Sequence, residues 1–194
     1  MIKLNQKISH NFSLEKPFAL RVRSGAGYGD SANDFEAILD RTDDNKLVLH
    51  AVQGYMTLHS DEASLEENEV ILVFPKSSTI RRFYRPSANS NNILLTEECD
   101  QVCVMCSQPP KNKRYDQFEL YKSALRLVPK ESVIGITGGE PTLLKDQLFV
   151  FLQQILSERP DLFFHILSNA QHFEADDRGV LSEMRNNILW GIPL

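Results

Sequence analysis

Every cysteine in the chain lies in one eight-residue stretch, Cys99-Asp100-Gln101-Val102-Cys103-Val104-Met105-Cys106, with the spacing C-x3-C-x2-C. Thiols scattered at random do not fall this way, so the stretch asks for a ligand. Three cysteines are an odd number, which argues against a closed disulfide framework. A reducing cytosol keeps such thiols available to a metal. Zinc favours paired cysteines with a distant second pair, or a histidine that completes a tetrahedron. His165 and His172 are the downstream histidines, and neither has that spacing. Three thiolates can instead hold three corners of an iron–sulfur cube and leave one iron open, whereas an electron-transfer cluster usually takes four. An open iron is a place for chemistry.

The elements that position this stretch are legible in part. From Asn92 onward, strand-like and helix-like segments alternate. Ile93-Leu94-Leu95-Thr96 is an apolar strand leading into the cysteines, Val133 to Thr137 a second, Leu162 to Leu167 a third and Asn187 to Ile192 a fourth. Helices are expected where Phe118, Tyr121, Leu125 and Val128 share a face, and again where Leu144, Leu148, Leu152 and Ile155 do. A weaker helix is expected from about Asp177 to Arg185, and Thr142 is a candidate N-cap. Such alternation predicts a parallel sheet of right-handed βα units. Cys99–Cys106, Gly138-Gly139-Glu140-Pro141 and Ser168-Asn169 each follow a strand, on the carboxyl-end rim where α/β sites lie.

With the cysteine loop after one strand and Gly138-Gly139-Glu140-Pro141 after the next, the chain resembles the radical S-adenosylmethionine (SAM) superfamily. Cys103-Val104-Met105-Cys106-Ser107-Gln108-Pro109-Pro110 and Trp190-Gly191-Ile192-Pro193-Leu194 are similar to the maturases of the His-Xaa-Ser peptide-modification system. The resemblance implies a [4Fe–4S] cluster on Cys99, Cys103 and Cys106, with SAM chelated at the open iron. It implies acceptors for the methionine ammonium at Glu140 and at the carbonyls of Gly138 and Gly139, with Pro141 completing the motif. Taken alone, Gly138 to Pro141 would be a strand-to-helix turn. Ser168 and Asn169 would meet the SAM ribose or carboxylate, or simply end a strand. Met105 stands where many members carry an aromatic residue near the adenine. The implied reaction is reductive cleavage of SAM to a 5′-deoxyadenosyl radical that abstracts hydrogen from a peptide. Its partners would be that peptide, a companion maturase and an external electron donor. The rival reading is a non-catalytic iron–sulfur-binding or scaffold subunit of a maturase complex.

The implied fold is α/β: a partial (β/α) barrel of radical SAM type with about four strands, residues 91–194, preceded by a small β-rich domain, residues 1–90. A full barrel takes about 31 residues per unit, and the 104 residues from Asn91 to Leu194 supply three units and part of a fourth. The core is therefore expected to be incomplete at its C-terminus and to cleave SAM poorly by itself.

In residues 1–90, strand-like runs occur at Phe18–Val22, Phe35–Leu39, Lys46–Val52 and Val70–Phe74. Gly25, Gly27 and Gly29 read as a turn, since no Lys-Ser/Thr ending makes them a phosphate loop. His50 and His59 are assigned no role, and Lys111, Lys113 and Arg114 read as a solvated run. At 42% hydrophobic, 24% charged and net charge −5, the composition is that of a globular protein with no field for nucleic acid or anionic membranes. No signal-peptide core and no apolar run of about 18 residues is present, so a cytoplasmic location with no membrane partner is expected.

Overall fold

A computed structural model describes residues 5–24, 35–41, 47–58, 65–104, 106, 111, 112, 114 and 117–192. Met105, Ser107–Pro110, Lys113, Gly25–Gly29, His59 and Pro193-Leu194 lie outside them. The chain divides into two compact units: Met1–Asn89 with Glu119–Pro129, and Ser90–Phe118 with Lys130–Leu194.

The first unit is a closed barrel of seven strands: β1 (Asn5–His10), β2 (Phe18–Ser24), β3 (Glu36–Arg41), β4 (Leu47–Ala51), β5 (Gly54–Leu58), β6 (Val70–Phe74) and β7 (Thr79–Tyr84). Their order is β1-β5-β4-β3-β2-β6-β7, and β1 closes the ring by pairing antiparallel with both β5 and β7. The strands form because apolar residues alternate: Leu20 and Val22 on β2, Leu47, Leu49 and Ala51 on β4, and Met56 and Leu58 on β5 join one core. Two carboxylates are buried with them. Glu69 is fully buried and meets Arg82, and Glu36 meets Arg21 and Arg23.

The second unit is an open sheet of four parallel strands in the order β11-β10-β9-β8: β8 (Asn91–Thr96), β9 (Val133–Gly138), β10 (Phe163–Leu167) and β11 (Ile188–Gly191). All four coincide with runs expected to be strands. Ile134, Ile136, Phe164 and Ile166 are buried, as are Leu148, Leu152 and Ile155 of a helix at Lys145–Glu158. In chain order the helices are α1 (Phe118–Leu125), α2 (Lys145–Glu158) and α3 (Arg178–Glu183). Among the described residues, no helix is long and apolar enough to cross a membrane.

This overturns the expected fold class. The chain is not an α/β protein built on a partial (β/α) barrel of radical SAM type. It is mostly β: a closed seven-stranded barrel plus an open four-stranded parallel sheet, with three short helices among the described residues. The βα alternation does predict parallel pairing, but closing such a ring takes about eight strands. Nor does every helix go with the sheet, since Glu119–Pro129, which holds most of α1, groups with the closed barrel.

Candidate functional site: the carboxyl rim of the parallel sheet

β8, β9 and β10 run parallel, so the segments that leave their carboxyl ends share one edge. The stretch after β8 and the turn after β9 are joined through the backbone: Gly139 N donates to Thr96 O (2.8 Å) and Glu140 N to Glu98 O (2.7 Å). This contact explains both glycines. Gly138 has φ +138°, which side chains rarely adopt, and a Cβ there would lie 2.1 Å from Thr96 O. A Cβ on Gly139 would lie 1.8 Å from Glu98 O. The close approach that the glycines permit is to the chain's own backbone. On its other side the stretch is held by Lys111 N, which donates to Glu97 O (2.9 Å), and by the Arg114 guanidinium on the Glu98 carboxylate.

Glu140 is the centre of the rim. It is 2% exposed, and its carboxylate accepts four hydrogen bonds. Oε1 takes Thr142 N (2.9 Å), Ser168 Oγ (2.7 Å) and the Thr142 hydroxyl; Oε2 takes Asn169 N (2.7 Å). A carboxylate offers about four lone-pair positions, so most of its capacity is used inside the protein. Glu140, not Thr142, caps the 3-10 turn Pro141–Leu144, with buried Pro141 at its first position. Ser168 and Asn169 are therefore brought to the Gly138–Pro141 turn as the sequence placed them, and their bonds there are to Glu140.

Asn169 also reaches the cysteine stretch. Its Nδ2 donates to Asp100 Oδ1 (2.9 Å), and His172 Nε2 lies 2.9 Å from Asp100 Oδ2. Burial pushes the Asp100 carboxyl up, but the bonds from His172 and Asn169 outweigh it and hold the group below its ordinary value. Gln101 Nε2 donates to Gln171 Oε1 (2.9 Å). Asp100, Gln101 and Gln171 had no part in the sequence reading, and His172 entered only as a zinc candidate. The available signal was their shared position just past the ends of two parallel strands.

No family model, no curated protein and no solved structure matches the chain.

The cysteines stand at the outer end of this network. Cys99 is half-buried, Cys103 and Cys106 are exposed, and none of the three is in a disulfide. Cys106 N donates to Cys103 O (3.0 Å), forming a turn between them. Val102 and Val104 stand in solvent beside them. Among the described residues, no group of three His, Cys, Asp or Glu side chains converges as metal ligands. In number and chemistry the donors nevertheless suit an iron–sulfur cluster: three accessible thiols on one loop, the softest ligand type a protein offers. Met105 lies outside the described residues. His165 is exposed on β10, away from the bonds of the rim.

Next to the rim is a polar cleft of about 480 Å³ lined by Arg114, Thr142, Lys145, Asp146, Gln171 and His172, among others. Lys145 Nζ donates to His172 O (2.9 Å) and pairs with Glu174 and Asp177 (both 3.0 Å). Those two carboxylates raise its pKa and keep it charged.

Proposed function

We propose that the parallel-sheet unit carries a [4Fe–4S] cluster on Cys99, Cys103 and Cys106 and binds SAM beside it, as a radical SAM enzyme modifying a peptide in the cytoplasm. A companion maturase and an external electron donor belong to the same reading. One observation carries it: every cysteine of the chain lies on a loop whose root is hydrogen-bonded to the Gly138–Glu140 turn. The reading rests on these motifs and on the chemistry of the thiols, not on a (β/α) barrel.

When bound, the pair supplies reductive cleavage of SAM to a carbon radical able to take hydrogen from an unactivated position. The chain's own residues do the rest. The three thiols bind; Gly138 and Gly139 offer backbone carbonyls to an ammonium group; Glu140 holds Thr142, Ser168 and Asn169 in register.

One observation favours a second reading, a cluster-binding subunit without catalysis. The Glu140 carboxylate spends its acceptor capacity on the protein itself. Anaerobic reconstitution with iron and sulfide separates the two. The enzyme reading expects iron at about four per chain, and a change in the spectrum of the reduced cluster when SAM is added. Iron without a SAM effect leaves the cluster-binding subunit. One bound zinc and no iron overturns both.

A further inference from the structure

The loop after β10 does more than border the cysteines. It grips the residues between the first two of them. Each Asp100 carboxylate oxygen faces its own partner, Asn169 Nδ2 on Oδ1 and His172 Nε2 on Oδ2, both at 2.9 Å. The neighbouring Gln101 side chain is held by Gln171. The gripping residues are themselves anchored. Asn169 N donates to buried Glu140, and Asn169 Oδ1 accepts from Gln171 N (3.0 Å). The His172 carbonyl accepts from Lys145, which is tied in turn to Glu174 and Asp177.

We propose that Asn169, Gln171 and His172 form a clasp that positions the cysteine loop by holding Asp100 and Gln101 between Cys99 and Cys103. As positioning residues for a cluster site, they rest on the reading of the cysteines given above. The clasp fixes the Cys99 end of the loop before any iron arrives. Cys103 and Cys106, exposed and linked by their own turn, are left accessible to close on the metal. The polar end of β10 thus gains a task different from contact with SAM.

The clasp can be tested on the metal-free chain by following alkylation of each cysteine by mass spectrometry. Cys99 is expected to react more slowly than Cys103 and Cys106. N169D puts a second carboxylate against Asp100 and removes a donor. It is expected to speed Cys99 about tenfold, the effect of losing a hydrogen bond to a charged group. H172A is expected to act in the same direction by a smaller factor. The reciprocal variant D100N/N169D restores the bond with its polarity reversed, and the carboxylate introduced in the loop after β10 still accepts from Gln171 N. Cys99 should then return to the wild-type rate, which a merely disturbed fold would not do. An N169D chain with an unchanged Cys99 rate overturns the clasp, as does a double variant that stays fast. Iron uptake measured in parallel is expected to slow in N169D and recover in D100N/N169D. If the wild type takes up no iron, the cluster reading fails, and the alkylation pattern still decides the clasp.

Discussion

The barrel and the parallel sheet bury polar groups for different ends. In the barrel, the buried carboxylates Glu36 and Glu69 each face an arginine, and the strands leave no free edge. In the sheet unit, buried Thr96, Glu140, Thr142 and Ser168 gather where strands end, and they bond to backbone amides and hydroxyls. The open sheet therefore concentrates its polarity on one rim, beside the chain's thiols. Closure pairs the barrel strands around the ring; the parallel sheet leaves a rim that its own side chains must hold in shape.

The largest effect that can break this contrast comes from removing one carboxylate in each unit. Glu69→Ala removes the carboxylate opposite buried Arg82 and is expected to cost ~3–5 kcal/mol in urea unfolding, the usual range for breaking a buried pair. Replacing both Glu69 and Arg82 by leucine should recover most of it, because the pair offsets its own desolvation. Glu140→Ala removes the acceptor of four hydrogen bonds and is expected to cost ~3 kcal/mol. Iron uptake by the folded fraction tells the two apart: unchanged in Glu69→Ala, reduced in Glu140→Ala. Equal iron uptake in both would make Glu140 a purely structural residue.

The next effect sharpens the meaning of the paired glycines. Gly139→Ala forces a methyl group against Glu98 O and is expected to cost ~1–3 kcal/mol, with slower iron uptake because that backbone contact leads to Cys99. Gly179 in α3 has nothing near the position of a new Cβ, so Gly179→Ala is expected to stabilise by ~0.5–1 kcal/mol. Thermal unfolding of the two variants checks the pair. A destabilised Gly179→Ala, or a neutral Gly139→Ala, would remove the distinction.

How much of this was legible differs between the units for physical reasons. The parallel strands were plain because they are apolar runs, even though Val133, Phe163, Leu167 and Leu189 are exposed, and their order put Cys99, Glu140 and Asn169 on one rim. In the barrel, β2, β3, β4 and β6 were visible, but β1, β5 and β7 were not. β1 is Asn-Gln-Lys-Ile-Ser-His, largely polar, and β7 carries Arg81 and Arg82 between its buried Ile80 and Phe83. These strands exist because neighbouring strands complete them, and β1, one of the least apolar, closes the ring. The internal bonds of Glu140 and the clasp on Asp100 were hidden for a related reason. They join residues far apart in sequence, and no local spacing encodes them.

The smallest effect separates the units by their response to acid. At the amino end of the sheet, Arg159 donates to both Asp161 oxygens (2.8 and 2.6 Å), and Glu131 N donates to the same carboxylate (3.3 Å). The Arg159 bond is the main reason that Asp161 lies well below its ordinary value of 3.8, with burial opposing it. Because the folded value is depressed, its stabilisation is fully present above pH 3.8 and is lost as pH falls through the folded value. Asp177, lowered chiefly by the Glu174 amide, adds in the same direction. In the barrel the signs are mixed. Burial opposes but does not overcome the bonds that Arg21 and Arg23 make to lower Glu36. Burial raises Glu69 above 4.5 despite Arg82. A raised carboxyl works the other way: folding gains as pH falls through the folded value, until the unfolded group is protonated as well. Acidification below pH 3.8 is therefore expected to loosen the sheet unit more than the barrel, read by hydrogen exchange of peptides from each. Asp161→Asn should remove at most about 1 kcal/mol of the sheet's acid sensitivity, since the pair is partly in water. An Asp161→Asn chain as acid-sensitive in β9 and β10 as the wild type would assign the response to other groups.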